Sequence, residues 1–175
     1  MKKKQVNAFD YAGHICKALP KGVLLTTKNG EKFNSMAIGW GHIGVEWRRP
    51  VFVVYVRENR FTKGLLDQCG EFTVNIPLDE ADSRIISTCG SNSGRDMDKI
   101  EALGLTLVDS DHVSIPGIKE MPLTLECRVI FQQEQNPALL PQDIQDTFYR
   151  QDENCCEPPH TAYYGEILGA YIIED

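Results

Sequence analysis

The chain has 175 residues, 42% of them hydrophobic, and a formal net charge of -7. That is enough apolar material for one core, so residues 1–175 read as a single domain that needs no disulfide scaffold and no metal to fold. The acidic balance argues against a nucleic-acid partner, which needs a basic face, and no apolar run approaches the ~20 residues of a membrane helix. The basic start lacks the apolar stretch of a secretory signal, and the expectation is a cytoplasmic protein.

Lys2-Lys3-Lys4 reads as a solvated, frayed tail. Phe9 to Leu19 carries apolar residues at helical spacing and stops at Pro20, an N-terminal helix within residues 1–19. Gly22 to Thr27 is a β-rich run, Asn29-Gly30 a strong hairpin signal, and Lys32 to Ile38 the returning strand. Pro50 opens Val51 to Val56, apolar on both faces as in a strand deep in a sheet. Arg60 to Cys69 looks helical and ends at Gly70, and Glu71 to Ile76 is a strand closed by Pro77. Asp79 to Cys89, with Ala81, Ile85 and Ile86 on one face, and Asp96 to Leu103 read as helices. Leu105 to Val108, Leu123 to Gln132 and Tyr163 to Ile173 read as strands, the last interrupted by Gly165 and Gly169, which suggest bulges. The polar, proline-containing stretch 133–159 reads as a loop, arm or lid. Strands with hairpin links and a few short helices favour a mainly β (α+β) antiparallel barrel over a doubly wound parallel sheet.

Cys16, Cys69, Cys89, Cys127, Cys155 and Cys156 have no CxxC or zinc spacing and read as reduced thiols. A redox role for the vicinal pair Cys155-Cys156 is conceivable. The four histidines are too dispersed for a metal site, and His14 and His112 are expected at the surface. The cluster Gly39-Trp40-Gly41-His42-Ile43-Gly44 lacks the strand-turn-helix context of a nucleotide fingerprint.

Three segments look unlike packing material. In Asn34-Ser35-Met36-Ala37-Ile38-Gly39-Trp40 small residues alternate with a Met and a Trp, so the backbone could lie against a flat ring. An ordinary strand with a glycine bend would look similar. Arg57-Glu58-Asn59-Arg60-Phe61-Thr62 runs from a strand into a helix start. Helix-terminal N–H groups, a hydroxyl and two guanidinium forks could cradle a phosphate, or simply cap a helix. In Cys89 to Lys99, Gly, Ser and Asn permit an anion-binding turn with Arg95 and Lys99 at hand.

In this order, Asn34-x-Met36-Ala37-x-x-Trp40, Arg57-x-x-Arg60-x-Thr62 and Gly90-x-x-Ser93-Gly94-Arg95-Asp96-x-Asp98-Lys99 resemble the flavin reductase-like family, specifically its flavoredoxin branch. His160-Thr-Ala-Tyr-Tyr-Gly165-Glu166 is similar to that family's final strand, where a His stands five residues before a Gly. The resemblance covers roughly Pro20 to the C-terminus. It implies a six-stranded split β-barrel, a homodimer, and FMN bound non-covalently near the subunit interface. By motif position, Asn34, Ser35, Met36, Ala37 and Trp40 would line the isoalloxazine, flanked by Tyr55, Val56 and Arg57. Arg60 and Thr62 would hold the phosphate, and Ser91, Ser93, Gly94 and Lys99 would close over the ribityl-phosphate end. His160 would stand at the open face as the catalytic side chain, donating a hydrogen bond to a nicotinamide or a second flavin.

The resemblance implies an oxidoreductase carrying electrons from NAD(P)H through FMN to a small-molecule or protein acceptor. The chain departs from the better-known reductase pattern over Asn136 to Pro159, which could cover the flavin and shut out a dinucleotide. Alternatives are an electron carrier with no NAD(P)H step, or a non-catalytic flavin-binding protein. A pyridoxamine-phosphate oxidase on a similar barrel matches the Met-Ala-x-x-Trp strand and the Ser-Gly-Arg-Asp loop less well.

Overall fold

Alternating and fully apolar runs make strands of most of this chain, and the strands find one another in antiparallel order. The computed structural model describes residues 1–80, 82–152 and 155–174, with Cys155 described by its backbone alone. The first elements are β1 (Lys2–Gln5), α1 (Ala12–Ala18), β2 (Val23–Asn29), β3 (Lys32–Ile38), β4 (Gly41–Glu46) and β5 (Arg49–Arg57). Next come α2 (Phe61–Cys69), β6 (Glu71–Ile76), α3 (Ser83–Ser91), α4 (Lys99–Leu103), β7 (Leu107–Val108), β8 (Gly117–Ile118) and β9 (Leu123–Glu134). The chain closes with α5 (Gln142–Phe148), β10 (Gln151–Asp152), β11 (Cys155–Cys156) and β12 (His160–Glu174).

The main sheet has eight strands in the order β3-β2-β6-β9-β12-β5-β4, with β1 added on β12. Its two extremes, β3 and β4, are joined only by Gly39-Trp40. The step from Ile38 to Gly41 reaches at most ~11 Å, so the sheet must curl until its edges lie side by side without pairing. This is the expected split barrel, mainly β with short appended helices. Six of the eight strands are those legible in the sequence; β1 and β4 are additional.

Adjacent residues of a strand face opposite sides, and β2 uses both. Leu25 joins the barrel core with Phe52, Phe72, Val74, Leu125 and Tyr163, all fully buried. Leu24 faces the other way, into a second cluster with Ile85, Cys89, Ile118 and Met121 that seats α3 and α4 on the sheet. Each such side chain contributes roughly 1.5–3 kcal/mol of burial. The long strand β12 shifts register between Tyr164 and Gly165 and between Ile167 and Gly169, the bulges its glycines suggested. At Gly165 a Cβ would stand 2.4 Å from Phe72 Cζ and 2.9 Å from Cys127 Cβ, so the bare backbone is what lets Phe72 pack there.

Two readings need correction. Lys2-Lys3-Lys4 is not a frayed tail but part of β1, in register with β12 from Lys2↔Glu174 to Gln5↔Tyr171. Lys3 pairs with Asp111 and lies 5.1 Å over the Tyr171 ring. That pairing is tertiary, and a lysine run carries no alternation to announce it. His14 is half-buried, with Nε2 2.6 Å from the Pro77 carbonyl oxygen, rather than a surface group. Of the loop, arm or lid expected over 133–159, the described residues form a 3₁₀ turn at Pro137–Leu139, α5 and the β10–β11 hairpin. Helix α3 starts at Ser83 under the Asp82 cap, and the expected contribution of Ala81 lies outside the described residues. Cys16, Cys69, Cys89, Cys127 and Cys156 are free thiols, while the Cys155 side chain, and with it the vicinal pair, is outside the description.

Candidate functional site

The gap between β3 and β4 is walled from three directions, and each wall is one of the segments that stood out in the sequence. Asn34, Met36, Ala37, Ile38, Gly39 and Trp40 come from β3 and its link. Tyr55, Arg57, Asn59, Arg60, Phe61 and Thr62 come from the passage of β5 into α2. Cys89 to Arg95 and Lys99 come from the end of α3 and the start of α4. His160, at the head of β12, completes a cavity of about 350 Å³.

Local bonding locks the walls together. The Asn34 amide donates to Thr62 Oγ1 at 2.8 Å, tying β3 to the first turn of α2. A Cβ on Gly94 would come within 2.1 Å of Asn34 Oδ1 and 2.6 Å of Phe61 Cδ1, so the loop closes against both only because residue 94 is glycine. Arg95 lies 5.4 Å over the Phe61 ring and donates to the Asn59 carbonyl at 3.4 Å. Behind this wall Lys63 pairs with Asp67 (2.9 Å) and Glu58 (3.4 Å), Thr161 donates to Glu58 at 2.6 Å, and the buried Tyr163 donates to Asp67. That network fixes the start of α2 against the start of β12. Burial of Tyr163 and its bond to Asp67 push its pKa above the usual phenol range.

The cavity is electrostatically one-sided. Among the described residues no carboxylate lines it, while Arg57, Arg60, Arg95 and Lys99 do. Lys99 is 3% exposed and, among the described residues, donates only to two carbonyls, Cys89 O at 3.4 Å and Asn92 O at 3.3 Å. Burial lowers its pKa; Cys89 partly opposes this, and the Arg60 charge adds a smaller lowering. Arg60 makes no side-chain hydrogen bond or ion pair among the described residues, and it caps α2 without a side-chain bond. Lys63 N–H bonds to Arg60 O at 3.1 Å, and among the described residues the Phe61 and Thr62 N–H groups remain free to meet an acceptor.

The arm packs beside the cavity, against residues that line it. Arg57 is committed to it, pairing with Glu157 at 2.7 Å and donating to Pro158 O (3.1 Å) and Phe148 O (2.9 Å). Phe148 packs edge-on against Trp40 at 5.1 Å, and Trp40 lies 4.8 Å from the His160 ring. Tyr149 Oη sits 2.9 Å from His160 Nδ1. Burial, then the Arg57 and Arg60 charges, depress the His160 pKa to about 4, so the ring is neutral at pH 7.

Over residues 17–175 the chain matches the family described as flavin reductase like domain. The chain belongs to that family. An uncharacterized protein of Archaeoglobus fulgidus is 33% identical over 130 residues, which is 74% of this chain and 69% of that protein. Among solved structures it is similar to the flavoredoxin of Desulfovibrio vulgaris (Miyazaki F), at 27% identity and TM-score 0.66 over 87% of this chain and 69% of that one. The flavoredoxin from Methanosarcina acetivorans compares in the same way, with 27% identity and TM-score 0.65 over 87% and 68% of the two chains.

In this flavin reductase-like chain the cavity gathers the residues singled out from sequence except two. Ser35 turns to the opposite face of β3, its Oγ 2.6 Å from Thr26 Oγ1, and Val56 is fully buried in the barrel core. Both fall at the odd step of an alternating strand, between Asn34 and Met36 and between Tyr55 and Arg57. Cavity residues not singled out as site residues, such as Asn59, Phe61 and Asn92, lie inside the same segments. Phe148 and Tyr149 were missed altogether.

Proposed function

We propose that the chain binds FMN non-covalently in the split of the barrel and passes electrons through it, from a reduced nicotinamide nucleotide to a small-molecule or protein acceptor. The observation that carries this reading is the acid-free cavity, with three cations gathered where a Gly/Ser loop meets the N-terminus of α2. A phosphorylated ligand would give the Lys99 ammonium and the Arg60 guanidinium the partners the chain does not supply. From Asn34 to Ile38 the β3 wall extends ~13 Å, long enough to lead from that cradle to the Trp40–His160 end. There Met36, Ala37 and the Gly39 backbone offer a surface with little side-chain bulk, suited to a flat ring.

When bound, the flavin supplies hydride acceptance and electron release. The residues of the chain bind and orient it. Arg60, Thr62, Ser91, Ser93, Gly94 and Lys99 would hold the phosphate and ribityl end; Asn34, Met36, Ala37, Trp40 and Tyr55 would line the ring; neutral His160 would meet the second reactant. The protein as purified is expected to be yellow and to release FMN on denaturation. Colourless protein that stays colourless with added FMN removes the reading.

One observation favours a second reading, an electron carrier without its own NAD(P)H step. Arg57 ties the arm down beside Trp40 and His160, where a dinucleotide would approach. Stopped-flow mixing with NADH and NADPH separates the two: rapid bleaching of the flavin identifies the reductase. We also propose a homodimer. Trp47, Phe131 and Tyr164 form a contiguous aromatic group, with Trp47 and Phe131 53% and 44% exposed, on the outer face of the sheet. Such a face fits a second copy; Trp47→Glu is expected to yield monomers by light scattering, against dimers for the parent.

A further inference from the structure

The geometry points to Tyr149 and Gln135 as positioning residues that fix the proton of His160 on Nδ1, leaving Nε2 to accept a hydrogen bond from an N–H of the ligand that enters beside the flavin. The inference rests on the flavin reading for the identity of that place, and on the chain alone for the tautomer. Tyr149 Oη is 3.1 Å from Gln135 Oε1 and 2.9 Å from His160 Nδ1. An amide oxygen only accepts, so the single phenolic proton is committed to Gln135. Toward His160 the hydroxyl oxygen can then act only as acceptor, and Nδ1 must carry the ring proton. A neutral imidazole has one N–H, so Nε2 is bare.

The arrangement is held firmly enough to matter. Gln135 N–H donates to the His160 carbonyl at 2.8 Å, so the acceptor that orders the chain of bonds is anchored to the histidine it controls. The Arg57 guanidinium lies 5.5 Å over the Tyr149 ring and fastens the same stretch of arm through Phe148 and Pro158. Burial raises the Tyr149 pKa, which keeps the hydroxyl protonated. Among the described residues Nε2 has no hydrogen-bond partner, and His160 lines the cavity. Where the sequence suggested that His160 donates, the arm makes it an acceptor. The ligand class this selects is one that offers an amide-type N–H, such as the carboxamide of a nicotinamide, over one that offers only a carbonyl.

The test is ¹⁵N NMR of histidine-labelled protein near pH 7, with and without FMN, using His160→Asn to assign the ring. The expected result is a protonated Nδ1 and an unprotonated Nε2. Gln135→Leu frees the Tyr149 proton to turn toward Nδ1 and should invert the tautomer, while Tyr149→Phe should leave a mixture. Gln135 is half-buried at the surface, so its replacement leaves the core intact. A parent protein protonated on Nε2, or a Gln135→Leu spectrum identical to the parent, overturns the positioning role whether or not FMN binds. The ligand half is read in the FMN-loaded protein. Nicotinamide should shift the Nε2 resonance and bind roughly tenfold tighter than 3-acetylpyridine, which keeps ring and carbonyl but has no N–H. Equal responses to the two, or none to either, overturn the acceptor role.

Discussion

Replacing Lys99 by Met should stabilise the ligand-free protein and weaken FMN binding, two effects of opposite sign from one side chain. Lys99 is 3% exposed as a residue, so Met keeps the apolar packing of its stem and removes the charge. Among the described residues that charge has two carbonyl partners at 3.3 and 3.4 Å, long for charge-assisted bonds, and no carboxylate. Two such bonds return somewhat less than the several kcal/mol lost on taking the ion out of water, and the net benefit of removing it is about 1 kcal/mol. For a chain of this size that is ~2–4 °C in Tm, measured by thermal denaturation of the stripped protein. With FMN present the balance reverses. A phosphate dianion would restore the missing partner, and deleting that contact costs ~1.5–3 kcal/mol, or about 10- to 150-fold in Kd by flavin fluorescence titration. The pH dependence follows the same logic. The folded pKa of Lys99 is depressed, so the unfolded chain binds more protons below the ordinary lysine value of 10.5 and stability rises as pH climbs toward it. Lys99→Met should flatten that contribution. A Lys99→Met protein that melts several degrees lower when stripped, yet binds FMN as the parent does, would make Lys99 a structural side chain and dissolve the phosphate cradle.

Arg60→Ala should weaken FMN by ~1.5–3 kcal/mol with little change in stripped-protein stability, since the exposed guanidinium contacts nothing the fold needs; equilibrium dialysis decides it. Gly165→Ala should destabilise the barrel by roughly 1–3 kcal/mol, read from the denaturant midpoint, because the new methyl would meet Phe72 and Cys127 in a closed core. His160 has a folded pKa of about 4 against 6.5, so the unfolded state gains protons first and stability falls as pH drops from 6.5 toward 4. His160→Asn should remove that part of the acid slope; an unchanged slope would mean the ring titrates normally.

What the sequence disclosed about the site was local, and what it hid was long-range. Asn34 to Trp40, Arg57 to Thr62 and Cys89 to Lys99 stand out because each concentrates donors, glycine or small residues within one short stretch. Period-two alternation along β3 and β5 was enough to set Ser35 and Val56 apart, and it is the backbone pleat that turns them away. The β4–β5 hairpin gave no turn signal: Trp47 and Arg48 occupy it with φ of 49° and 60°, a place normally taken by Asn-Gly or Asp-Gly. Phe148 and Tyr149 sit in a polar stretch without periodicity, and only the fold brings them to Trp40 and His160. The sole hint was an aromatic pair where solvated residues would otherwise be expected.

The strand β12 explains why fold and site cannot be separated in this chain. Its first seven residues pair with β5, from His160↔Arg57 to Glu166↔Val51, and its last four with β1. The His160↔Arg57 step puts the ring-bearing residue beside the guanidinium that holds the arm, so register alone brings His160, Arg57 and Tyr149 to one corner. A slip by one residue would turn His160 to the other face and bring Thr161 in its place. The shift at Gly165 lies five residues downstream, where Phe72 occupies the space a Cβ would need. Filling that space forces either Phe72 out of the core or β12 out of register. A structural substitution at Gly165 should therefore lower the affinity of the cavity for its ligand even in molecules that remain folded, whereas a core deletion with the same stability loss outside the β12 ladder, such as Ile15→Ala on α1, should leave that affinity unchanged. Equal loss of affinity in the two variants at matched stability would separate the bulge from the site.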